Sequence, residues 1–259
     1  TFGEIMMRLA MPDHLRFMQS LPGTLDCTFA GAESNVAASL AILGLNVYFV
    51  TALPDNHLAN ACIGALNKVR VNTEFISLVK NGRLGIFFLE TGANQRPSNV
   101  IYDRAQSSIA VSEKEAYDFD KALESAQWFH TTGITPALSE KAFDVSLHAI
   151  IKAKEKGLTV SMDLNFRKKL WKWEPGLSAR QLAQKCIRQM LPFVDIVIGN
   201  EEDAYDVLDI KAGNSDVNTG KLDIDGYTSV AEQIVHQYKN ISKVAITLKI
   251  GRASCRERV

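Results

Sequence analysis

Asp163, Asn165 and Arg167 alternate at the end of an apolar stretch, and a carboxylate, an amide and a guanidinium at that spacing can share one polar ligand. If the chain continues as a strand, the alternation puts all three on one side. They would then lie at a strand's carboxyl end, where an open α/β sheet places its site. The plainer reading is a strand end finished with polar residues. Tyr102 and Arg104 have the same spacing in a second strand-like run and so face one side. A planar guanidinium there can hold a carboxylate through two parallel charge-assisted hydrogen bonds, although a cross-strand surface pair would look the same. Gly31 precedes a run of small residues and, with no Cβ, lets a backbone come close to a ligand. Asn35 stands at the entrance of that run, where its amide either caps a helix or grips a pair of hydroxyls. Asn200-Glu201-Glu202-Asp203 opens another expected helix, and acidic groups in a first turn complement the helix dipole.

The elements that must position these groups follow from periodicity. Residues 36–43 are an unbroken apolar and small-residue run, long enough for about two helical turns, and Gly44 supplies the stop. From residue 110 onward strand-like and helix-like stretches alternate. Strands are expected at 128–132, 158–164, 194–198 and 243–248. Ser139 can cap a helix in which Phe143, Leu147, Ile150 and Ile151 share one face and Gly157 ends the run. Further helices are expected at 178–191, stopped by Pro192, and at 201–208 and 228–238. Ser112 and Glu115 have the spacing of a capping box for the helix leading into this series. Such alternation predicts a parallel sheet covered by helices. The first hundred residues read differently. After a strand-like run at 2–6, strands at 84–90 and 100–104 flank the turn-rich stretch 91–99 and, with part of 9–29, would form a small separate sheet. Residues 209–226 read as a polar surface loop, and there is no internal repeat.

Composition excludes several kinds of partner. Basic and acidic groups balance at 29 each. The last ten residues hold three of the basic groups and one of the acidic, leaving 26 against 28 in the rest. That is no electrostatic footprint for nucleic acid or an anionic membrane. Hydrophobic residues make up 46 %, enough for a sizeable core, yet no apolar run approaches the ~20 residues of a membrane span. No secretory signal is visible. Cys27, Cys62 and Cys186 are scattered, which suits free thiols in a reducing cytoplasm better than a disulfide framework or a metal site. No phosphate-binding G-x-x-x-x-G-K-[ST] loop, dinucleotide G-x-G-x-x-G or G-x-S-x-G elbow occurs; Gly213 to Gly220-Lys221 has the wrong spacing and reads as loop. The five His residues are isolated and read as structural or surface groups. Residues 250–259, back-translated, resemble a sequencing adapter read in one frame and are set aside from the fold. The chain is therefore expected to be a fragment, with its natural frame lost after Lys249 and no initiating Met before Thr1.

Together these segments resemble the PfkB (ribokinase-like) sugar kinases, and among them the 2-keto-3-deoxygluconate kinases. The string from Ala30 to Gly44 is similar to the family's first signature, with Ala30 where Gly is common. The resemblance implies that Gly31 and Asn35, with Ala32, Glu33 and Ser34 in the same turn, hold the sugar. Residues 163–167 resemble the D-x-N-x-R segment of those kinases, which implies Asn165 near nucleotide phosphates and Arg167 bridging towards substrate. Tyr102 and Arg104 resemble a Y-x-R pair that contacts the sugar acid. Gly85-Ile86-Phe87-Phe88 resembles a lid segment, with Phe87 where Tyr is common, and residues 134–139 also match. Arg104 and Arg167 fit a substrate that carries a carboxylate better than a neutral hexose. Residues 200–203 resemble an N-x-x-E element, with Asp203 as the shorter fourth residue; Asn200 would serve the nucleotide, and Glu202 or Asp203 the Mg²⁺–water network.

The implied fold is three-layer α/β/α with a mostly parallel central sheet and a small β lid. One domain over 1–249, C-terminally incomplete, would draw its lid from about residues 10–30 and 84–105. ATP and Mg²⁺ are the implied cofactors, a small sugar acid the substrate, and a homodimer paired through the lid the assembly. No nucleic-acid or membrane partner is implied. The catalytic base, an Asp in a late Gly-rich motif, would lie beyond Lys249, so this chain is expected not to turn over. The alternatives are a kinase of neutral sugars such as fructose or ribose and a non-catalytic sugar-binding fragment.

Overall fold

The computed structural model describes residues 1–211 and 224–247. The chain opens with strand β1 (Met6–Ala10), the four-residue helix α1 (Phe17–Ser20) and β2 (Asp26–Ala30). Helix α2 (Ala32–Ile42) follows at once and ends where Gly44 turns to φ +91. Next come β3 (Thr51–Pro54), α3 (His57–Lys68), β4 (Ile76–Val79), β5 (Ile86–Glu90) and β6 (Asn99–Asp103). Short helices α4 (Ser108–Val111) and α5 (Phe119–Ala122) lead to β7 (Trp128–Thr132). Helix α6 (Glu140–Glu155) is capped by Ser139, whose Oγ accepts the Ala142 N–H at 3.0 Å, and stops at Gly157 with φ +77. Then follow β8 (Thr159–Asp163), α7 (Ala179–Met190), β9 (Ile196–Gly199), α8 (Glu201–Leu208), α9 (Ile224–Gln237) and β10 (Lys243–Ile246).

Strands β10-β9-β8-β7 form a parallel sheet in that order, and β3 pairs with β4 in parallel. The first residues of the chain join the two. The Phe2 N–H donates to the His130 carbonyl at 3.0 Å on one side, and the Val50 N–H donates to the Thr1 carbonyl at 2.9 Å on the other. The core follows from this layout. Val160 and Met162 of β8 are fully buried with Ala149 and Ile150 of α6 and with Cys186 and Ile187 of α7. Burying an aliphatic side chain of that size contributes about 1.5–3 kcal/mol. A second cluster packs α2 and α3 around Phe49, Leu53 and Cys62.

The remaining strands form a separate mixed sheet in the order β2-β1-β5-β6. Its registers run Thr28–Arg8–Phe87–Tyr102 on one face and Cys27–Leu9–Phe88–Ile101 on the other, because successive side chains alternate.

Four expectations need correction. The strand-like run at 2–6 is divided: residues 1–3 bridge the parallel sheets, and Met6 begins the mixed sheet. Ser112 does not open a capping box; it ends α4, and its Oγ donates back to the Ser108 carbonyl at 2.7 Å. The expected loop at 209–226 already becomes helix at Ile224. Helix α2 begins at Ala32, a turn before Asn35. The stretch from Gly213 to Lys221, Lys249 and the adapter-like residues 250–259 lie outside the described residues.

Candidate active site

The carboxyl ends of β7, β8 and β9 converge with the start of α2 at the root of the mixed sheet. Registers put Thr132 beside Asp163 and Asp163 beside Ile198, so three loops leave the sheet at one level. Glu33 ties α2 to this edge. Its carboxylate Oε1 accepts the Thr132 hydroxyl at 2.7 Å and the Thr135 hydroxyl at 2.9 Å, while Oε2 is buried with no hydrogen-bond partner among the described residues. The packing is close: a Cβ on Gly3 would lie 2.1 Å from the Glu33 side chain. Burial pushes the Glu33 carboxyl above its usual range, against the opposing pull of Thr132, Thr135 and the nearby Arg104 guanidinium.

Glu33 is thus an internal brace between α2 and the strand ends. Ser34 is also buried, its Oγ donating to the Gly31 carbonyl at 3.0 Å. Gly31 is the N-cap of α2 in extended backbone; what demands glycine is the Glu4 carbonyl, 2.0 Å from where a Cβ would stand. Asn35 therefore caps nothing. It lies one turn inside the helix with its side chain exposed, while Ala32 is half-buried at the helix start.

On the mixed sheet, Phe87 is buried and Tyr102 is exposed, with ring centroids 6.0 Å apart. Arg104 lies one residue past β6, its guanidinium 5.6 Å from the Tyr102 ring centroid. Its strongest partner is internal. The buried Glu4 carboxylate pairs with Arg104 Nη2 through one oxygen and accepts the Ser107 hydroxyl at 2.5 Å through the other. Glu4, Ser107, Thr132 and Thr135 escaped sequence reasoning. An acid in the strand-like run at 2–6 was the signal that could have flagged Glu4, since a carboxylate there is buried only with a partner.

The strand β8 ends at Asp163, and Asn165 turns to φ +37, so the alternation through 163, 165 and 167 breaks. A different arrangement brings these residues to α8. The Asn165 N–H donates to Asp163 Oδ1 at 3.2 Å, and the Phe166 N–H donates to Asp203 Oδ1 at 3.0 Å. Asn200 and Asp203 form a reciprocal cap: the Asp203 N–H reaches Asn200 Oδ1 at 2.8 Å, and the Asn200 N–H reaches Asp203 Oδ2 at 3.2 Å. Burial, with the charge of Asp203 nearby, pushes the Asp163 carboxyl up to about 6. Burial likewise raises Asp203 against its backbone bonds and the pull of Arg167. Arg167 is exposed and enters none of the ion pairs among the described residues.

No cluster of three His, Cys, Asp or Glu side chains able to hold a metal ion is present among the described residues. Both Asp203 oxygens already accept backbone N–H groups, so this turn fits Mg²⁺ through intervening water and through the exposed Glu202 rather than as a direct cage. No helix among the described residues is long and apolar enough to cross a membrane.

A family model described as "pfkB family carbohydrate kinase" matches residues 1–248. The crystal structure of a 2-dehydro-3-deoxygluconokinase from Thermotoga maritima is 44 % identical with a TM-score of 0.86, covering 95 % of this chain and 70 % of that one. A 2-dehydro-3-deoxygalactonokinase from Haloferax volcanii is 34 % identical over 210 residues, 81 % of this chain; the match spans 63 % of that protein's length. A fructokinase from Xylella fastidiosa, solved with bound ATP, shares the fold at a TM-score of 0.71 and 19 % identity, covering 96 % of this chain and 71 % of that one.

Proposed function

Because the chain belongs to the pfkB family of carbohydrate kinases, with a ribokinase-like α/β fold, we propose that this protein transfers the terminal phosphoryl group of ATP to a hydroxyl of a sugar acid. The favoured substrate is 2-keto-3-deoxy-D-gluconate, phosphorylated at its terminal hydroxyl, or the galactonate epimer. One observation carries this reading: just past the carboxyl end of β8 the exposed Arg167 enters none of the ion pairs among the described residues, whereas Arg104 is already paired with Glu4. A substrate that reaches Arg167 gains from carrying a negative charge.

In this reading Asn35, Gly31 and Ala32 face the sugar hydroxyls, Phe87 and Tyr102 cover the ring, and the mixed sheet acts as a lid. Asn165 and Asn200 serve the nucleotide side. Phosphoryl transfer depends on positioning and charge neutralisation, so Mg²⁺, when bound, would neutralise phosphate charge through waters ordered at Glu202 and Asp203. The catalytic base expected beyond Lys249 lies outside the described residues. The row Cys27–Leu9–Phe88–Ile101 of the mixed sheet is apolar and Ile101 is exposed, which supports pairing of two lids in a homodimer.

Calorimetric titration with 2-keto-3-deoxygluconate, 2-keto-3-deoxygalactonate and fructose tests the substrate class without requiring turnover. At least one of the two acids is expected to bind tenfold or more tightly than fructose. Fructose binding as tightly as either acid would overturn the reading in favour of a neutral-sugar kinase.

A further inference from the structure

We infer that Glu33 is a positioning residue for sugar binding, one that fixes the entrance of α2 and with it the direction of Asn35; the role rests on the reading above in which Asn35 meets the sugar hydroxyls. The first turn of α2 is closed within itself. The Asn35 N–H donates to the Gly31 carbonyl at 2.9 Å, and Ser34 Oγ donates to the same oxygen at 3.0 Å. Neither bond sets where the turn lies on the molecule. Among the described residues, the hydrogen bonds that tie this turn to the parallel sheet are the two that Glu33 Oε1 accepts from Thr132 and Thr135. Their anchor is firm. Both threonines are buried, the Ile134 N–H between them donates to Thr132 Oγ1 at 3.1 Å, and the Gly133 N–H donates to the Asp163 carbonyl at 2.8 Å. Gly3 closes on the Glu33 side chain so tightly that its position has no room for a Cβ. Glu33 and Asn35 are two residues apart, about 200° around a helix axis. Pinning the fully buried Glu33 inward therefore holds Asn35 on the open side of α2, where its side chain is exposed. Direction is what such an amide supplies, since a misplacement of about 1 Å by a distant substitution can cost on the order of a hundredfold in catalysis.

The test compares the parent chain with Glu33→Gln, Glu33→Met and Thr135→Val. Gln keeps an acceptor for the two hydroxyls, Met keeps the length and removes the acceptor, and Val removes one donor without touching α2. Each is titrated calorimetrically with 2-keto-3-deoxygluconate and its neutral methyl ester, at a temperature where circular dichroism shows it folded. Amide hydrogen exchange follows the α2 entrance. The inference expects Glu33→Met to weaken acid and ester alike, tenfold or more, and to speed exchange at residues 35–37 while β8 and β9 stay protected. Thr135→Val is expected to show a smaller loss of the same kind, and Glu33→Gln to bind within threefold of the parent. A Glu33→Met variant that melts lower yet binds both ligands like the parent would leave Glu33 a structural role and overturn the inference. So would a Glu33→Gln variant as weak as Glu33→Met, or a loss confined to the acid, because directing a hydroxyl-binding amide does not discriminate charge. If Glu33→Met does not fold, Thr135→Val decides, and unchanged binding there overturns the inference. A parent that binds acid and ester equally would instead overturn the sugar-acid reading, and the role of Glu33 is then judged on the parallel loss of both ligands. A parent that binds neither would overturn both.

Discussion

Arg167 and Arg104 are the same residue type in opposite situations. Arg104 is buried against Glu4, whereas Arg167 is exposed and meets its acidic neighbours only through space. A guanidinium without an internal partner is free for a ligand. Arg167→Ala is therefore expected to weaken sugar-acid binding by about 1.5–3 kcal/mol, the range for hydrogen bonds to charged groups. Titration calorimetry reads this directly, and an unchanged affinity would remove Arg167 from the site. The residue types at 163–167 and 200–203 were legible because polar groups cluster there after apolar runs. Their directions were not. Asn165 leaves the strand at φ +37, and Asp203 turns both oxygens onto backbone N–H groups. Glu33 likewise gave no sign in the sequence that Gly3, Thr132 and Thr135 close around it.

At the scale of elements, α2 is aimed by a single close approach. The junction between β2 and α2 passes so near Glu4 that a Cβ at Gly31 would lie 2.0 Å from a backbone carbonyl oxygen. A backbone oxygen cannot swing aside as a flexible side chain can. Gly31→Ala is expected to lower stability by about 1–3 kcal/mol, as overpacking does, and to misplace Asn35. A urea midpoint equal to that of the parent would contradict this account. Helix stops at Gly44 and Gly157 and the cap at Ser139 were legible, because capping is local chemistry. The start of α2 was not. Its cap is a glycine with no side-chain bond to announce it, so Asn35 attracted the assignment instead.

At the scale of the whole molecule, stability should carry a pH dependence from the strand-end carboxylates. Burial raises Asp163 to about 6, so the folded protein holds that proton more tightly than the unfolded chain, whose Asp titrates near ~3.9. The native state then binds more protons between these values, and stability falls as pH rises through that window. The cost, on the order of 2–3 kcal/mol, is complete by neutral pH. Asp163→Asn should flatten the urea midpoint between pH 4 and pH 7; parallel profiles for variant and parent would contradict the shift. The exposed Ile101 on the mixed sheet bears on assembly. Ile101 is exposed beside Phe88, and Ile101→Asp is expected to convert a dimer to a monomer in sedimentation velocity. A parent chain that already sediments as a monomer would remove that face as an interface.

The alternation of strand and helix from β7 to β10, the extra strands before it and the family itself could all be read from the residues in order. Periodicity, capping and short polar motifs are local properties of a chain. Only the tertiary structure decided which polar groups are spent internally. Glu4 meets Arg104 across a sequence separation of 100 residues, and Glu33 meets Thr132 across 99. No periodicity encodes such pairs, because the sheet order that creates them places residues 1–3 between β7 and β3. The same long-range arrangement sets Arg8 beside Phe87 and outside every ion pair among the described residues, since a strand's partners belong to the sheet and not to its own sequence.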